Sequence, residues 1–504
     1  MSTPGSASRA LAFNRAVEAS PGALDLTIPA GAIEGRVPPA LHGGRLLSNG
    51  PGWTRIGGRL AHPFDGHGYV RAFDFLPDGS CRLRARFVET RVYRDEAAAG
   101  RLLHRGLATN RGARFWENLG LASPRNVANT SIVPWGGRWL TGWEGGLPHA
   151  LDPETLATRG EDDLGGALAG QAILAHMRHD VGQERLVTCA LQMGRDTGLT
   201  FREHDATGRV RATHAATLPG LRFTHDFAMT RGHFVVGDNP LRLRPSGLGR
   251  LLLGLGTMLE AVVPDDRAPG LLHLVARDGS GRTRAVRLPD RAHVLHFANA
   301  FEGDGAVVVD ACIFHRFTLG EEFGYTGPDT PLDPALPDAR GPQRLYRITI
   351  PTGATEATWE LLTPHGVDFP RVHPDHEGLD TPRLFGATRQ DPRYSDPFDA
   401  VIGLDLRDRE RPAQLFATGD AHAFVGEPIF VPASDDPARG HVLVMVSDGR
   451  REASTLVVLD AADLARGPLA AVPLPLLPLA FHGAWEASAQ GAADQVNRPP
   501  VPGM

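Results

Sequence analysis

The chain has 504 residues, a formal net charge of -6, 42% hydrophobic and 22% charged residues, a composition that can bury a large core and offers no basic surface to gather nucleic acid. It contains no lysine, and its arginines are interspersed with acids rather than clustered, so nucleic acid is not an expected partner. Three cysteines, Cys81, Cys189 and Cys312, stand far apart without CxxC spacing, which indicates neither a disulfide framework nor a zinc ribbon and fits a reducing cytoplasm.

In chain order, the first thirty residues lack a charged segment followed by a continuous apolar run, and residues 1–34 are expected to be partly extended or disordered. Residues 35–490 are expected to form a single domain, because β-propellers and barrels often exceed the usual domain size as one unit. Short apolar, β-branched runs bounded by turn residues predict strands at 185–191, 305–314, 344–350, 441–446 and 454–459. With 59 Gly and 41 Pro punctuating the chain and few long stretches of helical period, the pattern predicts an all-β array of four-stranded blades. No repeat of fixed period adds internal similarity to that reading.

Residues 241–263 break the strand pattern: the stretch is leucine-rich, has arginines near its start and reads as one or two short helices. Two readings stay open for it, a buried cap helix and an exposed apolar patch that dips into a membrane to collect a lipophilic substrate. No run approaches the ~20 apolar residues that span a bilayer. Residues 491–504 are expected to be a tail.

Of 21 histidines, any single one is more often a surface or hydrogen-bonded residue than a metal ligand. Four have selective context: His176 in ILAHMRHD, His225 in FTHDFAMT, His296 in HVLHFANAFEGDG and His482 in PLAFHGAWE. Each sits beside an expected strand, and together they span most of the chain, as expected if several blades each deliver one ligand to a central axis. Imidazole suits a mononuclear metal that activates O2, which needs nitrogen or oxygen ligands and an open coordination position.

These segments, together with FDGHGYVRAF from Phe64, ANTSIV from Ala128, WEGGLPHALDPETL from Trp143, DFPRVHP from Asp368, GEPIFVP from Gly426 and VLDAADLARGPLAAVPLP from Val458, resemble the carotenoid cleavage oxygenase family. The resemblance runs in sequence order over roughly residues 35–485. It implies a seven-bladed β-propeller with a cap of loops and short helices over the iron face. It also implies Fe(2+) held by His176, His225, His296 and His482, and Glu144, Asp368 and Glu427 as acceptors for the other N–H of ligand imidazoles. Such acceptors fix the tautomer and orientation of a ligating ring. Asp368 departs from the Glu usual in its motif; one methylene shorter, it is expected to reach through a water or a shifted backbone. His67, in Gly66-His67-Gly68 where many relatives read Gly-Asp-Gly, is expected to be no ligand. His179 is expected to face solvent, and HPDHE at 373–377 to form a turn.

The activity implied by the resemblance is O2-dependent cleavage of a conjugated carbon–carbon double bond into two carbonyl products, without an organic cofactor. Partners are then a lipophilic polyene or stilbene and O2; peripheral membrane contact through about 241–263 is a further expectation if that stretch is the exposed patch rather than a buried cap helix. Tunnel candidates are Phe64, Arg125, Trp143, Phe297, Phe301 and Trp485. Stilbene-cleaving relatives anchor a phenol through a Tyr and a Lys just before the Ala-Asn-Thr motif. Here Arg125 stands in that neighbourhood, and Arg does not release a proton as a tuned Lys does, which favours carotenoids or apocarotenals. A stilbene-cleaving dioxygenase, an isomerohydrolase that uses the metal as a Lewis acid, and a non-catalytic lipid-binding propeller are the alternatives.

Overall fold

The computed structural model of the protein describes residues 4–488, apart from 120–124, 266, 317–319, 321–322, 328–329, 337–340, 395 and 434–435. The tail expected at 491–504 lies outside the described residues.

The predicted strands form because their residues suit burial on both faces. In Gly440–Asp448, Leu443 and Met445 enter one apolar cluster while Val442 and Val444 enter another. The two-residue period of a strand thus feeds two cores, one on each side of its blade. Tyr69–Phe75 does the same: Tyr69, Phe73 and Phe75 face one cluster, Val70 and Ala72 the next. Each such Leu, Val or Phe contributes about 1.5–3 kcal/mol relative to exposure.

Among the described residues the major sheets have five, four, four, six, six and seven strands. The seven-stranded sheet divides at the long strand Thr358–Arg371, whose register shifts between Asp368 and Arg371, so the sheets amount to seven blades. Strands from the two ends of the chain share sheets. Gly483–Glu486 pairs with Arg45–Ser48, and Glu34–Gly35 pairs with Pro468–Pro475. The all-β propeller expected from sequence is therefore present.

The N-terminal segment, expected to be partly extended or disordered, is extended at the strands Leu24–Ile28 and Glu34–Gly35 but begins with a helix that the sequence reading did not expect. Pro4–Glu18 is an α-helix, and its Ala12, Phe13, Ala16 and Val17 pack against Leu60, Leu332 and Phe424. The spacing of those four residues places them on one helical face. The stripe is too short to stand out among the small and polar residues around it.

Residues 241–263 hold the end of the strand His233–Leu243, the helices Pro245–Leu252 and Met258–Ala261, and the strand Val262–Pro264. Leu251 is buried, but Leu243, Leu252, Leu253 and Leu255 are exposed. Of the two readings left open by the sequence, the exposed apolar patch is the one that forms. Among the described residues no helix is long and apolar enough to cross a membrane. All three cysteines are buried and free.

Candidate metal centre

The four histidines selected by context converge. One ring nitrogen from each of His176, His225, His296 and His482 lies within 4.8 Å of the others, although successive members of the set are 49, 71 and 186 positions apart in the chain. His176 precedes the strand Arg178–Asp180, His225 lies between two short strands, His296 is inside His293–Gly303, and His482 precedes Gly483–Glu486. Strands of four different sheets thus each bring one histidine to a common point.

Three of the imidazoles are oriented by carboxylates on Nδ1. His225 Nδ1 lies 2.8 Å from Glu144 Oε1, His296 Nδ1 2.5 Å from Asp368 Oδ1, and His482 Nδ1 3.0 Å from Glu427 Oε1. With the Nδ1 proton donated to an acid, each Nε2 carries a lone pair. His225 Nε2 and His296 Nε2 are nevertheless 3.2 Å apart, and His176 Nε2 is 3.1 Å from His225 Nε2. Two lone pairs that face each other repel, so a hydrogen bond is a poor reading of the His225–His296 contact. A shared cation removes the conflict: metal–imidazole bonds of roughly 2.1 Å place neighbouring nitrogens ~3.0–3.4 Å apart. The donor set, all imidazole nitrogen, suits a first-row transition metal.

The electrostatics agree. Burial, then the positive character of the three neighbouring imidazoles, lowers His176 well below the usual histidine range. Burial likewise brings His482 down to about 4. Burial alone would raise the Glu427 carboxyl, but Arg371 and His482 hold it at about 2. Burial opposes charge on His296, yet Asp368 overrides it and raises that imidazole; a metal cation at Nε2 would displace the extra proton.

Asp368 reaches His296 directly, without the bridging water that was one of two expected routes. The backbone supplies the missing length: the register of its strand shifts just after it, and Phe369 has a φ of +48°, a left-handed conformation that a bulky residue adopts only when its surroundings hold it there. Phe369 N–H also donates to Asp368 Oδ1.

Two features escaped the sequence reading. Asp226, directly after His225, accepts from Arg178 (2.6 Å) and from the backbone N–H groups of Phe227 (2.8 Å) and Phe297 (2.9 Å). It thereby fastens together the segments that carry His176, His225 and His296, while its own distance to His176 Nδ1 is 3.8 Å. The Asp of His-Asp-Phe was visible as a neighbour of a candidate ligand, but sequence does not reveal that it brackets segments 48 and 71 residues apart. The second is Glu96, fully buried, which grips both ends of the Arg125 guanidinium and the His67 ring.

A cavity of about 1050 Å³ opens beside the metal centre, with a largely apolar wall, at the upper end of the ~300–1,000 Å³ of ligand pockets. His225, His296 and His482 border it, as do Phe64, Trp143 and Arg125. The other tunnel candidates lie elsewhere. Phe297 sits in the core between blades, because the register slips on either side of it and turns Leu295 and His296 to the cavity instead. Phe301 lies five residues along the same strand, ~17 Å of extended chain from His296, under the Arg347 guanidinium. Trp485 follows a strand away from the axis and packs on Phe75.

The remaining sequence expectations concern histidines outside the centre. His67 is fully buried against Glu96 and is not part of the cluster. Its burial lowers the ring to about 4. His179 is exposed on the strand Arg178–Asp180, and Pro374–His376 forms a single 3₁₀ turn.

Comparison with known proteins agrees with this geometry. The family model described as retinal pigment epithelial membrane protein matches residues 20–487. The chain is 36% identical over 472 residues to apocarotenoid-15,15'-oxygenase of Synechocystis sp., covering 90% of this chain and 92% of that protein. It is 30% identical to isoeugenol monooxygenase of Pseudomonas putida, covering 90% and 94% of the two. A crystal structure of the Synechocystis apocarotenoid oxygenase substituted with cobalt superimposes with a TM-score of 0.87 at 31% identity, covering 95% of this chain and 99% of that one. Fold, histidine cluster and sequence match point the same way: this chain belongs to the retinal pigment epithelial membrane protein family, that of the carotenoid cleavage oxygenases.

Proposed function

We propose that the protein is an Fe(2+)-dependent dioxygenase that cleaves a conjugated carbon–carbon double bond of a carotenoid or apocarotenoid with O2, giving two carbonyl products. The observation that carries the reading is that the converging imidazoles and the large apolar cavity share one space. His176, His225, His296 and His482 would hold the iron, which when bound supplies the activation of O2. Glu144, Asp368 and Glu427 keep the Nδ1 protons of three rings and so aim their Nε2 lone pairs inward. The cavity excludes water and aligns the polyene, with the Phe64 and Trp143 rings on its wall.

Arg125 favours polyenes over hydroxystilbenes for a structural reason. Its Nη atoms are engaged by Glu96, and its Nε donates to the carbonyl of Asp65. A guanidinium clamped and neutralised by a buried carboxylate is a weak anchor for a phenolic oxygen. The test is incubation of the ferrous enzyme with β-carotene, apocarotenals and hydroxystilbenes in air and under argon, with aldehydes identified by mass. Apocarotenals are expected to be consumed in air only. Turnover under argon, or turnover of hydroxystilbenes alone, would contradict the reading.

Glu427→Gln is expected to weaken iron retention about 10- to 100-fold, as loss of an oriented acceptor commonly does. Gln offers no ionised partner to Arg371, which now makes a paired contact to Glu427 at 2.9 and 2.8 Å. Competition against a chelator measures the change, and unaltered retention would remove Glu427 from the proposed role.

The lipophilic substrate is drawn from a membrane surface through the patch at 241–263. Leu243 and Met258 border the cavity and are also exposed, so the patch lies at its mouth. Arg105 holds it in place by donating to the carbonyls of Asn118, Leu251 and Gly256. Replacing Leu252, Leu253 and Leu255 together by Ser is expected to lower partition onto lipid vesicles at least ~10-fold, given ~1.5–3 kcal/mol per buried large side chain. Equal partition of the variant and the parent would exclude the patch as the contact.

A further inference from the structure

Polar side chains that border the cavity away from the metal centre are mostly engaged by the protein itself. Arg105 and Arg125 are satisfied as described. Asn129 donates to the carbonyls of Phe64 and Gly66 and accepts from Thr130 Oγ1. Gln343 differs. It borders the same cavity and is 2% exposed, and its Oε1 is buried without a hydrogen-bond partner. An amide left unsatisfied in an apolar wall is destabilising. Among the few polar groups of a ligand pocket, one that the protein leaves open is available to orient the ligand.

The backbone places Gln343 close to the metal centre. Its carbonyl accepts from Val367 N–H at 3.3 Å, and Val367 precedes the Asp368 that holds His296. The side chain therefore springs from the chain segment hydrogen-bonded to the strand that orients one of the proposed ligands.

We propose that Gln343 is a specificity-determining residue that hydrogen-bonds a hydroxyl group carried by the polyene. The proposal rests on the reading of the cavity as a polyene site. A carboxamide offers one acceptor and two donor hydrogens, and its two ends exchange by a half-turn of the amide. A hydroxyl satisfies both ends, since it donates to Oε1 and accepts from Nε2. A carbonyl on the substrate would leave Oε1 unsatisfied, and a hydrocarbon would leave both ends so. With the hydroxyl held there, the distance along the chain from hydroxyl to metal is fixed, and so is the double bond presented for cleavage.

The test uses the iron-loaded enzyme under argon and a matched pair of apocarotenals, one with an unsubstituted ring and one with a ring hydroxyl. Binding is read by quenching of tryptophan fluorescence. The wild type is expected to prefer the hydroxylated compound by about 10- to 100-fold, the order of what satisfying one buried amide that otherwise lacks a partner is worth. Gln343→Met and Gln343→Leu, two apolar variants of different shape, are expected to lose that preference while they bind the unsubstituted compound as well or better. In air, their products from the hydroxylated compound are expected to become a mixture. No preference in the wild type, or equal losses for both compounds in both variants, would overturn the proposal. A preserved preference without any cleavage in air would refute the dioxygenase reading and leave Gln343 standing. Cleavage in air without preference would do the reverse.

Discussion

Replacing His296 by Ala is expected to leave less than about one-tenth of an iron per chain and to lower cleavage by about three orders of magnitude or more, because a metal site loses a ligand and cleavage needs the metal. The substitution removes one of four converging nitrogens and leaves the Asp368 carboxylate without the ring it now contacts at 2.5 Å. Metal analysis of the purified variant and aldehyde formation measure the two effects. His179→Ala is the control: the ring is exposed and lies outside the cluster, so iron content and rate should match the parent. Full iron occupancy in the His296 variant would remove it from the proposed ligand set.

A large loss of stability is expected from a buried ion pair outside the metal centre. Glu96 and Arg125 are both buried, and the carboxylate also receives the backbone N–H groups of Leu103 and His104. Glu96→Gln and Arg125→Met should each cost about 3–5 kcal/mol, since each leaves a buried charge without its counterion. The double variant Glu96→Leu, Arg125→Met should be less destabilised than the two single losses added together, because no lone charge remains. Shifts in the urea midpoint measure this, and iron per folded chain should stay unchanged. Single variants within 1 kcal/mol of the parent, on the order of an ordinary exposed pair, would show that the contact is not the buried clamp described.

The histidines that converge were legible in sequence because a histidine and the turn beside it are local features. His225 with Asp226 and Phe227, or His482 with Gly483, can be recognised without knowing what lies across the axis. The fold was legible for a related reason: Gly440–Asp448 and Ala453–Asp460 announce themselves by runs of β-branched and aliphatic residues. The cavity wall was not, because it depends on register. Phe297 neighbours His296 in the chain, yet slips in strand pairing send it into the core. Trp485 stands three residues from His482, enough for a strand to carry it ~10 Å from the axis. The reach of Asp368 was likewise hidden, since the chain makes up for a shorter side chain through a conformation at Phe369 that no residue type announces.

Glu96 and Gln343 show the same limit from another side. Neither lies in a segment that resembles a site, and each acquires meaning only from what surrounds it in space. Glu96 is a helical residue whose partners, His67 and Arg125, come from 29 positions before and after it. Gln343 is marked only by the absence of a partner for its buried oxygen.

X-ray absorption at the iron edge of the anaerobically loaded protein reads whether four imidazoles share one ferrous ion. The expected result is one iron per chain, with a nitrogen and oxygen shell in which multiple scattering requires about four imidazole rings, the number that converge here. A shell with sulfur or with two or fewer imidazoles, or iron that binds equally well after all four histidines are replaced, would contradict it.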